Sequence, residues 1–465
     1  MAGTVSLVVT AGPIRGQRYD FSQHDTFLFG RAPDCHARLA ATDGAASRHH
    51  FLLEVNPPLV RLRDLGSLNG THVNGVRRGG RRPSESPEEA AARAGAEVDL
   101  HDGDEVRVGA TVIRVEVSAP PACSECGRPI AEAERERCGW VGAVYLCVTC
   151  HGGPATAGGA ARSASPLARL AAGSKEEDAE SARPGRTVGP YEIERLLGKG
   201  GMGAVYLAHR RAGAPPGAGE APVGPVALKV MLPRMVVDEE AQEIFIREIE
   251  VTRSLRHPNI VGLLDFGKHE GRFYFALEYC PGGSAEGLRR RRGGRVPLPS
   301  VLAIAVDALE GLAAAHDAGF VHRDIKPENV LLAANGAARL ADFGLAKSFQ
   351  QAGLSGMTAT GIVAGTFQFM PREQLTSYRR ARPTTDVWSM AATVYHLLTG
   401  EYPRDFDSGS DPVAVVLRGG TVPLRQRDPS VPAELAALID RALDDDPSRR
   451  FPTARELVTA LRGLL

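Results

Sequence analysis

The chain has 465 residues, too many for one ordinary domain, and its 43% apolar content is enough for packed cores, which excludes wholesale disorder. Lys plus Arg and Asp plus Glu balance at 55 each, so net charge gives no reason to expect nucleic-acid or membrane binding. The opening MAGTVSLVVTAGPIRG has no basic start, and no uninterrupted apolar stretch reaches the roughly 20 residues of a bilayer span, so the expectation is a soluble cytoplasmic protein.

Residues 1–118 carry short alternating runs, SLVVT, FLFGR, HFLLEV, LVRLRDL and VIRVEV, punctuated by Gly, Asn and Asp. Short strands at close spacing with such turns predict an all-β sandwich. Within it, RRGGRRPSESPEEAAARAGA (residues 77–96) is polar, lacks strand period and reads as an inserted loop. Arg31 follows a glycine after a strand, Ser47, Arg48 and His50 occupy a loop before another, and Asn69 sits in an Asn-Gly turn. Loops at one end of a sandwich can converge such groups on one anion, and an arginine, a hydroxyl and an amide offer the charge and directed hydrogen bonds a phosphate needs. Asn69-Gly70 alone would read as an ordinary hairpin turn. The ordered set FLFGRAPDC, ASRHHFLLEV and LRDLGSLNGTHVNG resembles forkhead-associated (FHA) domains over roughly residues 5–117. That resemblance implies phosphothreonine-containing protein partners. It implies further that Arg31 and Ser47 contact phosphate with Arg48 as a second phosphate-side contact, that Asn69 holds peptide backbone, and that His50 braces the loops.

Five of the seven cysteines fall between residues 123 and 150. In a reducing compartment such clustering points to metal or redox chemistry. CSEC and CVTC place Cys123, Cys126, Cys147 and Cys150 as two C-x2-C knuckles, a pattern that resembles zinc ribbons over residues 122–151 and whose four thiolates would complete a closed, structural Zn2+ site. Cys138 and His151 are spare and either could substitute; redox thiols or an unmetallated remnant are the alternatives. Cys35 and Cys280 read as small buried hydrophobes. Residues 152–188, rich in Ala, Gly, Ser and Arg, have linker composition.

From 189 to 465, strand-like runs precede longer helical patterns, which argues for an α+β domain. VLAIAVDALEGLAAAH, interrupted by Asp307 and Glu310, reads as a buried helix. LLGKGGMGAVYLA spaces Gly198, Gly200 and Gly203 so that backbone can approach phosphate oxygens, and AVYLAH looks like a strand, which favours a hairpin lid over a dinucleotide fold. Lys229 in VALKV suits the α- and β-phosphates, and Glu248 in FIREIEV suits that lysine. In FVHRDIKPENVLL, Asp324 can accept or orient an acceptor hydroxyl proton, Lys326 can neutralise a transferring phosphoryl group, and Asn329 can bind a metal. Asp342 in LADFGLA adds the main Mg2+ ligand, an oxygen donor of the kind that hard cation prefers.

Taken in order, these motifs resemble the bacterial eukaryotic-type (Hanks-type) serine/threonine protein kinases across residues 191–465. The resemblance implies a bilobal fold and protein substrates, with ATP and Mg2+ (or Mn2+) in the cleft. The nucleotide would lie against Leu197, Gly198, Gly200, Gly203, Val205, Ala227 and Lys229, near a hinge from Glu278 to Cys280, with Leu277 guarding the back pocket. KPEN resembles the serine/threonine class more than the tyrosine class. The activation loop then contains ATGIVAGTFQFMPREQL, with Thr358 and Thr360 as the better candidate phosphosites and Arg323 as the receiver of a phosphate there. Thr366 is a third candidate, better read as a structural hydroxyl beside Asp324 and Lys326. Phe367 stands where proline is usual, lining the acceptor's next position, and Pro371-Arg372 replace Ala-Pro. Glu373 remains to pair with Arg450, and Asp386 matches an aspartate that braces the catalytic loop. The expected whole is a multidomain serine/threonine kinase that autophosphorylates and whose FHA sandwich reads phosphothreonine, including its own activation loop in trans. The alternative is a catalytically weak pseudokinase scaffold that binds phosphorylated partners.

Overall fold

The protein is described here from a computed structural model covering residues 4–82, 85–86, 90–91, 97–118, 130, 139–141, 144–146, 185–200, 203–213, 224–231, 249, 253–270, 272–343, 367–376, 381–406 and 411–464. The amino-terminal runs form two facing sheets. One orders its strands Arg18–Phe21, Val5–Ala11, Thr111–Val117, Glu105–Val108, Thr71–Val73 and Val76–Arg78; the other orders Ala37–Arg38, Asp25–Gly30, Phe51–Asn56, Leu59–Asp64 and Glu97–Leu100. Period-two alternation selects the sandwich core: Val5, Leu7 and Val9 from one sheet meet Phe27, Phe29, Phe51, Leu53, Val60 and Leu62 from the other.

Three details differ from the sequence reading. The hairpin between Thr71–Val73 and Val76–Arg78 turns at Asn74-Gly75, both at positive φ (49° and 81°), so the Asn-Gly turn that serves a hairpin is this one and not Asn69-Gly70. The first two residues of the expected insertion, Arg77 and Arg78, complete that strand, and the next few fold back on the sandwich: the Gly80 N–H donates to Asp64 and the Arg81 N–H to the Ser67 carbonyl. The linker also ends earlier than its composition suggests, because Thr187–Val188 pair with Tyr191 and Glu192 as the first strand of the next domain.

That domain has two lobes. The smaller is an antiparallel sheet ordered Thr187–Val188, Tyr191–Gly200, Gly203–Arg210, Pro225–Met231, Arg272–Glu278 and Leu263–His269. The larger is helical, built around Leu298–Asp317 and Pro383–Thr399. Leu298–Asp317 has the length and hydropathy of a membrane span, yet most of it is buried among the C-lobe helices. The two charges that interrupt it are used there: Asp307 accepts from the Ala338 N–H (2.9 Å) and Glu310 pairs with Arg462 (2.7 Å).

A third apolar cluster joins the sandwich to the C-lobe, combining Leu28, Leu52 and Leu65 with Phe367, Met370, Val413 and Leu417. Below it the C-lobe is locked by the expected pair: the buried Arg450 guanidinium grips both Glu373 carboxylate oxygens, at 2.5 and 3.0 Å. Because removing the buried guanidinium leaves the half-buried Glu373 carboxylate without its counter-charge, Arg450→Ala should cost about 3 kcal/mol. Thermal unfolding of wild type, Arg450→Ala and Arg450→Lys would measure it. Lysine should restore only part of the loss, since it cannot form the fork.

Candidate active site and phosphate-binding loops

The smaller lobe supplies the roof of the cleft. Val205 pairs directly with Lys229, and Ala227 with Leu277, so cross-strand register places all four side chains on one face of the sheet. Glycine is required at 203 for packing: a Cβ there would lie 2.1 Å from the Val230 carbonyl oxygen. At Gly198 a Cβ would meet nothing within 4 Å, so the smallness of this residue serves an approach from outside. Leu197 is partly exposed beside it. Cys280 is buried against Val261 and Ala341, with Leu277 and Leu331 packed on the same cluster, which ties the hinge to the strand leading into Asp342. The Glu278 carboxylate takes a structural role, accepting from Arg339 (2.6 Å) and the Gly262 N–H (3.1 Å).

The larger lobe supplies the charged floor. Asp324, Lys326 and Asn329 converge: Lys326 Nζ donates to both Asp324 oxygens (2.9 and 3.0 Å), and Asn329 Nδ2 donates to the Asp324 carbonyl (2.8 Å) and Oδ2 (3.0 Å). Across the cleft, Lys229 Nζ donates to Asp342 Oδ1 at 2.7 Å. Burial alone would favour the neutral Asp342 acid, but the Lys229 charge and hydrogen bond overcome it and hold the carboxyl below its usual range. Asp342 and Arg323 are both non-glycine residues at positive φ (62° and 67°), a strain of about 1–3 kcal/mol each that only a constraining environment sustains. Asp386, wholly buried, supplies that constraint: its carboxylate accepts the N–H groups of His322 (2.7 Å) and Arg323 (2.8 Å). His322 in turn meets the Ala341 carbonyl through Nε2 (2.9 Å), joining the catalytic loop to the Asp342 segment.

With Nδ2 engaged on Asp324, the Asn329 amide has its oxygen left for a metal, and Asp342 brings a carboxylate, so the donor set suits Mg2+. Glu248, the expected partner of Lys229, lies outside the described residues, as do Thr358, Thr360 and Thr366 and the cysteines Cys123, Cys126, Cys147 and Cys150.

At the sandwich end the expected phosphate residues also meet. A Cβ on Gly30 would lie 2.2 Å from the Arg48 carbonyl oxygen, so glycine there lets the strand end pack on the Ser47–Arg48 loop. The Arg31 N–H donates to the Ser47 carbonyl (3.1 Å), and Arg31 Nε to the Ala46 carbonyl (2.7 Å), which fixes the guanidinium against this loop. Ser47 Oγ accepts from the Leu68 N–H (2.9 Å), and Asn69 Nδ2 donates to the Ala45 carbonyl (3.1 Å). His50 is structural, as expected: burial lowers its pKa, so the neutral ring accepts the Ser47 N–H at Nδ1 (3.0 Å). Arg48 is exposed and lines a cavity of about 820 Å3 with Arg372 and Arg418.

Two contributors escaped the sequence reading. Asp64, fully buried, accepts from Ser67 N–H and Oγ, Thr71 Oγ1 and Gly80 N–H, so one carboxylate shapes the turn that presents Asn69. Leu68 is 59% exposed beside Asn69, an apolar side chain open to solvent next to that turn. The DLGS segment carries the first signal, an Asp three residues before a Ser; no sequence signal marks the second.

A protein kinase domain model matches residues 191–460, more than half the chain. The chain belongs to the protein kinase family. An FHA domain model matches residues 27–109. Similar proteins include tyrosine-protein kinase MasK of Myxococcus xanthus, 33% identical over 288 residues covering 60% of this chain and 43% of that protein. Serine/threonine-protein kinase PknJ of Mycobacterium tuberculosis is 35% identical over 283 residues, covering 59% of this chain and 45% of the other. The chain thus spans less than half the length of these curated relatives. Among solved structures, the Mycobacterium tuberculosis PknI kinase domain is 29% identical with a TM-score of 0.46, covering 61% of this chain and 99% of that one.

Charge-assisted hydrogen bonds are worth about 1.5–3 kcal/mol, so Arg31→Ala should weaken binding of a phosphothreonine peptide roughly 10- to 100-fold. Asp64→Ala should weaken it comparably without removing any residue placed against the phosphate. Peptide titration followed by fluorescence anisotropy would read both.

Proposed function

We propose that this protein is an ATP-dependent serine/threonine protein kinase that phosphorylates itself and protein substrates and reads phosphothreonine through its FHA sandwich. The observation that carries the reading is the convergence of Asp324, Lys326 and Asn329 opposite Lys229 and Asp342, with the whole loop held by Asp386. In this reading Lys229 orients the α- and β-phosphates and Asp342 and Asn329 hold the metal. Mg2+, when bound, supplies charge neutralisation on the phosphates. Asp324 takes the acceptor's hydroxyl hydrogen bond and sets its oxygen toward the γ-phosphorus. Lys326, already against Asp324, balances charge on the transferring group. Catalysis of this kind rests on positioning and preorganised charge.

KPEN favours serine and threonine as acceptors. MasK is named a tyrosine-protein kinase, so acceptor class is to be read directly. Incubation of the full chain with Mg-ATP, followed by phosphosite mapping, should place phosphate on Thr358 or Thr360 in wild type and none in Asp324→Asn. A rate loss of about 10²–10⁴ is expected for that variant. Phosphate only on tyrosine would reassign the acceptor class, and none with ATP still bound would favour the scaffold reading.

We further propose structural zinc on Cys123, Cys126, Cys147 and Cys150. Between the two knuckles lies a hairpin, Gly139–Val141 paired with Val144–Leu146, the local structure that would bring chain before and after it together. Metal analysis of purified protein should find one equivalent of zinc, lost in Cys123→Ser with Cys126→Ser. Retention of the full equivalent would exclude these ligands.

A further inference from the structure

One sheet of the FHA sandwich has part of its outer face buried where it should be wet. In an antiparallel sandwich each sheet turns one face to the core and the other to solvent. Along Asp25–Gly30 and Phe51–Asn56, Phe27, Phe29, Phe51 and Leu53 face the sandwich core. Leu28 and Leu52, paired directly across the ladder, therefore point outward, and both are buried. What covers them is the C-lobe: they pack in one cluster with Phe367, Met370 and Leu375, and with Val413, Val416 and Leu417 of the helix Pro412–Arg418.

The polar contacts at this seam are as specific as the apolar ones. Thr26, also outward, donates its hydroxyl to the carbonyls of Leu375 (2.9 Å) and Thr376 (3.1 Å). Arg63, outward on Leu59–Asp64, pairs with Asp411, the fully buried N-cap of the helix Pro412–Arg418. Arg418, at that helix's other end, donates to the carbonyls of Leu65 (2.7 Å) and His49 (3.3 Å). The helix from Val413 to Leu417 is apolar on every side, a composition that fits a helix covered on every side.

The covered surface is next to the chemistry. Residues 367–376 end the segment that follows Asp342, and Gln374 Nε2 donates to the Arg323 carbonyl at 2.6 Å, fastening this shelf to the catalytic loop. The shelf therefore adjoins Asp324, where an acceptor hydroxyl would sit in the kinase reading. We propose that the outer face of the FHA sheet is an intramolecular docking surface for the kinase domain's own substrate shelf and Pro412–Arg418 helix, and that in this docked arrangement it excludes protein substrates from the active site. The phosphothreonine residues Arg48 and Asn69 stay exposed at the loop end, so the sandwich can read phosphate while docked. The inference rests on the kinase reading above.

The test uses the full chain and two variants that break the seam from opposite sides. Arg63→Glu sets a like charge against Asp411, and Arg418→Ala removes both carbonyl bonds; neither residue belongs to the catalytic or phosphate-binding sets. Hydrogen exchange at amides 413–418 reports undocking, and phosphorylation of myelin basic protein reports access, with Asp324→Asn as the blank. Losing a docked state held by buried polar contacts should speed exchange and raise the initial rate at least about tenfold in both variants. Faster exchange with an unchanged or lower rate overturns the exclusion while leaving the kinase reading intact. Unchanged exchange in both variants overturns the docking itself. Faster exchange with no turnover above the blank in any protein, wild type included, overturns the kinase reading and the exclusion with it. Should Arg63→Glu fail to fold, Arg418→Ala alone decides.

Discussion

A single buried carboxylate, Asp386, governs the geometry of the active site. It accepts two consecutive backbone N–H groups, those of His322 and Arg323, and so holds Arg323 in a left-handed conformation that a free chain would leave. From that fixed point the loop delivers Asp324, Lys326 and Asn329 to one place. His322 carries the restraint on to Ala341, beside the equally strained Asp342. Burial makes the arrangement stiff, because a carboxylate without water must keep its donors.

The phosphate-binding end of the sandwich solves the same problem with the same parts. Asp64, also fully buried, gathers the Ser67, Thr71 and Gly80 donors around the turn that carries Asn69. Glycine is demanded by close backbone approach in both places, at Gly30 against the Arg48 carbonyl and at Gly203 against the Val230 carbonyl. In both places a fully buried carboxylate, Asp386 or Asp64, holds the backbone that carries a more exposed polar side chain, Asp324 or Asn69.

The seam between sandwich and C-lobe joins these two sites in one body. Its apolar side chains come from strand positions that face away from the sandwich core, and its charges, Arg63 and Asp411, sit where neither would be comfortable alone. Burial pushes the Asp411 carboxyl up in pKa, with Arg63 opposing, so the ion pair and the docking depend on each other. Phe367, where the family pattern has proline, lies in this cluster, which gives that departure a physical setting.

The amino-acid order determined the local chemistry. Period-two runs marked the sandwich strands, AVYLAH marked the strand after the glycine-rich turn, and the charges within VLAIAVDALEGLAAAH marked a buried helix whose Asp307 and Glu310 have partners. The sets Arg31-Ser47-Asn69 and Lys229-Asp324-Asn329-Asp342 could be picked from the sequence because each expected chemistry restricts the residue types that can serve it, and the fold brings the members of each set near one another. Asp64 was not legible as a hub, because beyond the nearby Ser67 its donors, Thr71 on a strand and Gly80 after the next hairpin, come together only in the fold. Nor was the outward role of Leu28, Leu52 and Arg63: FLFGR and FLLEV say that a strand is buried, but a sequence does not say what lies on its second face. Only tertiary contact, between residues more than 300 positions apart in the chain, decided that.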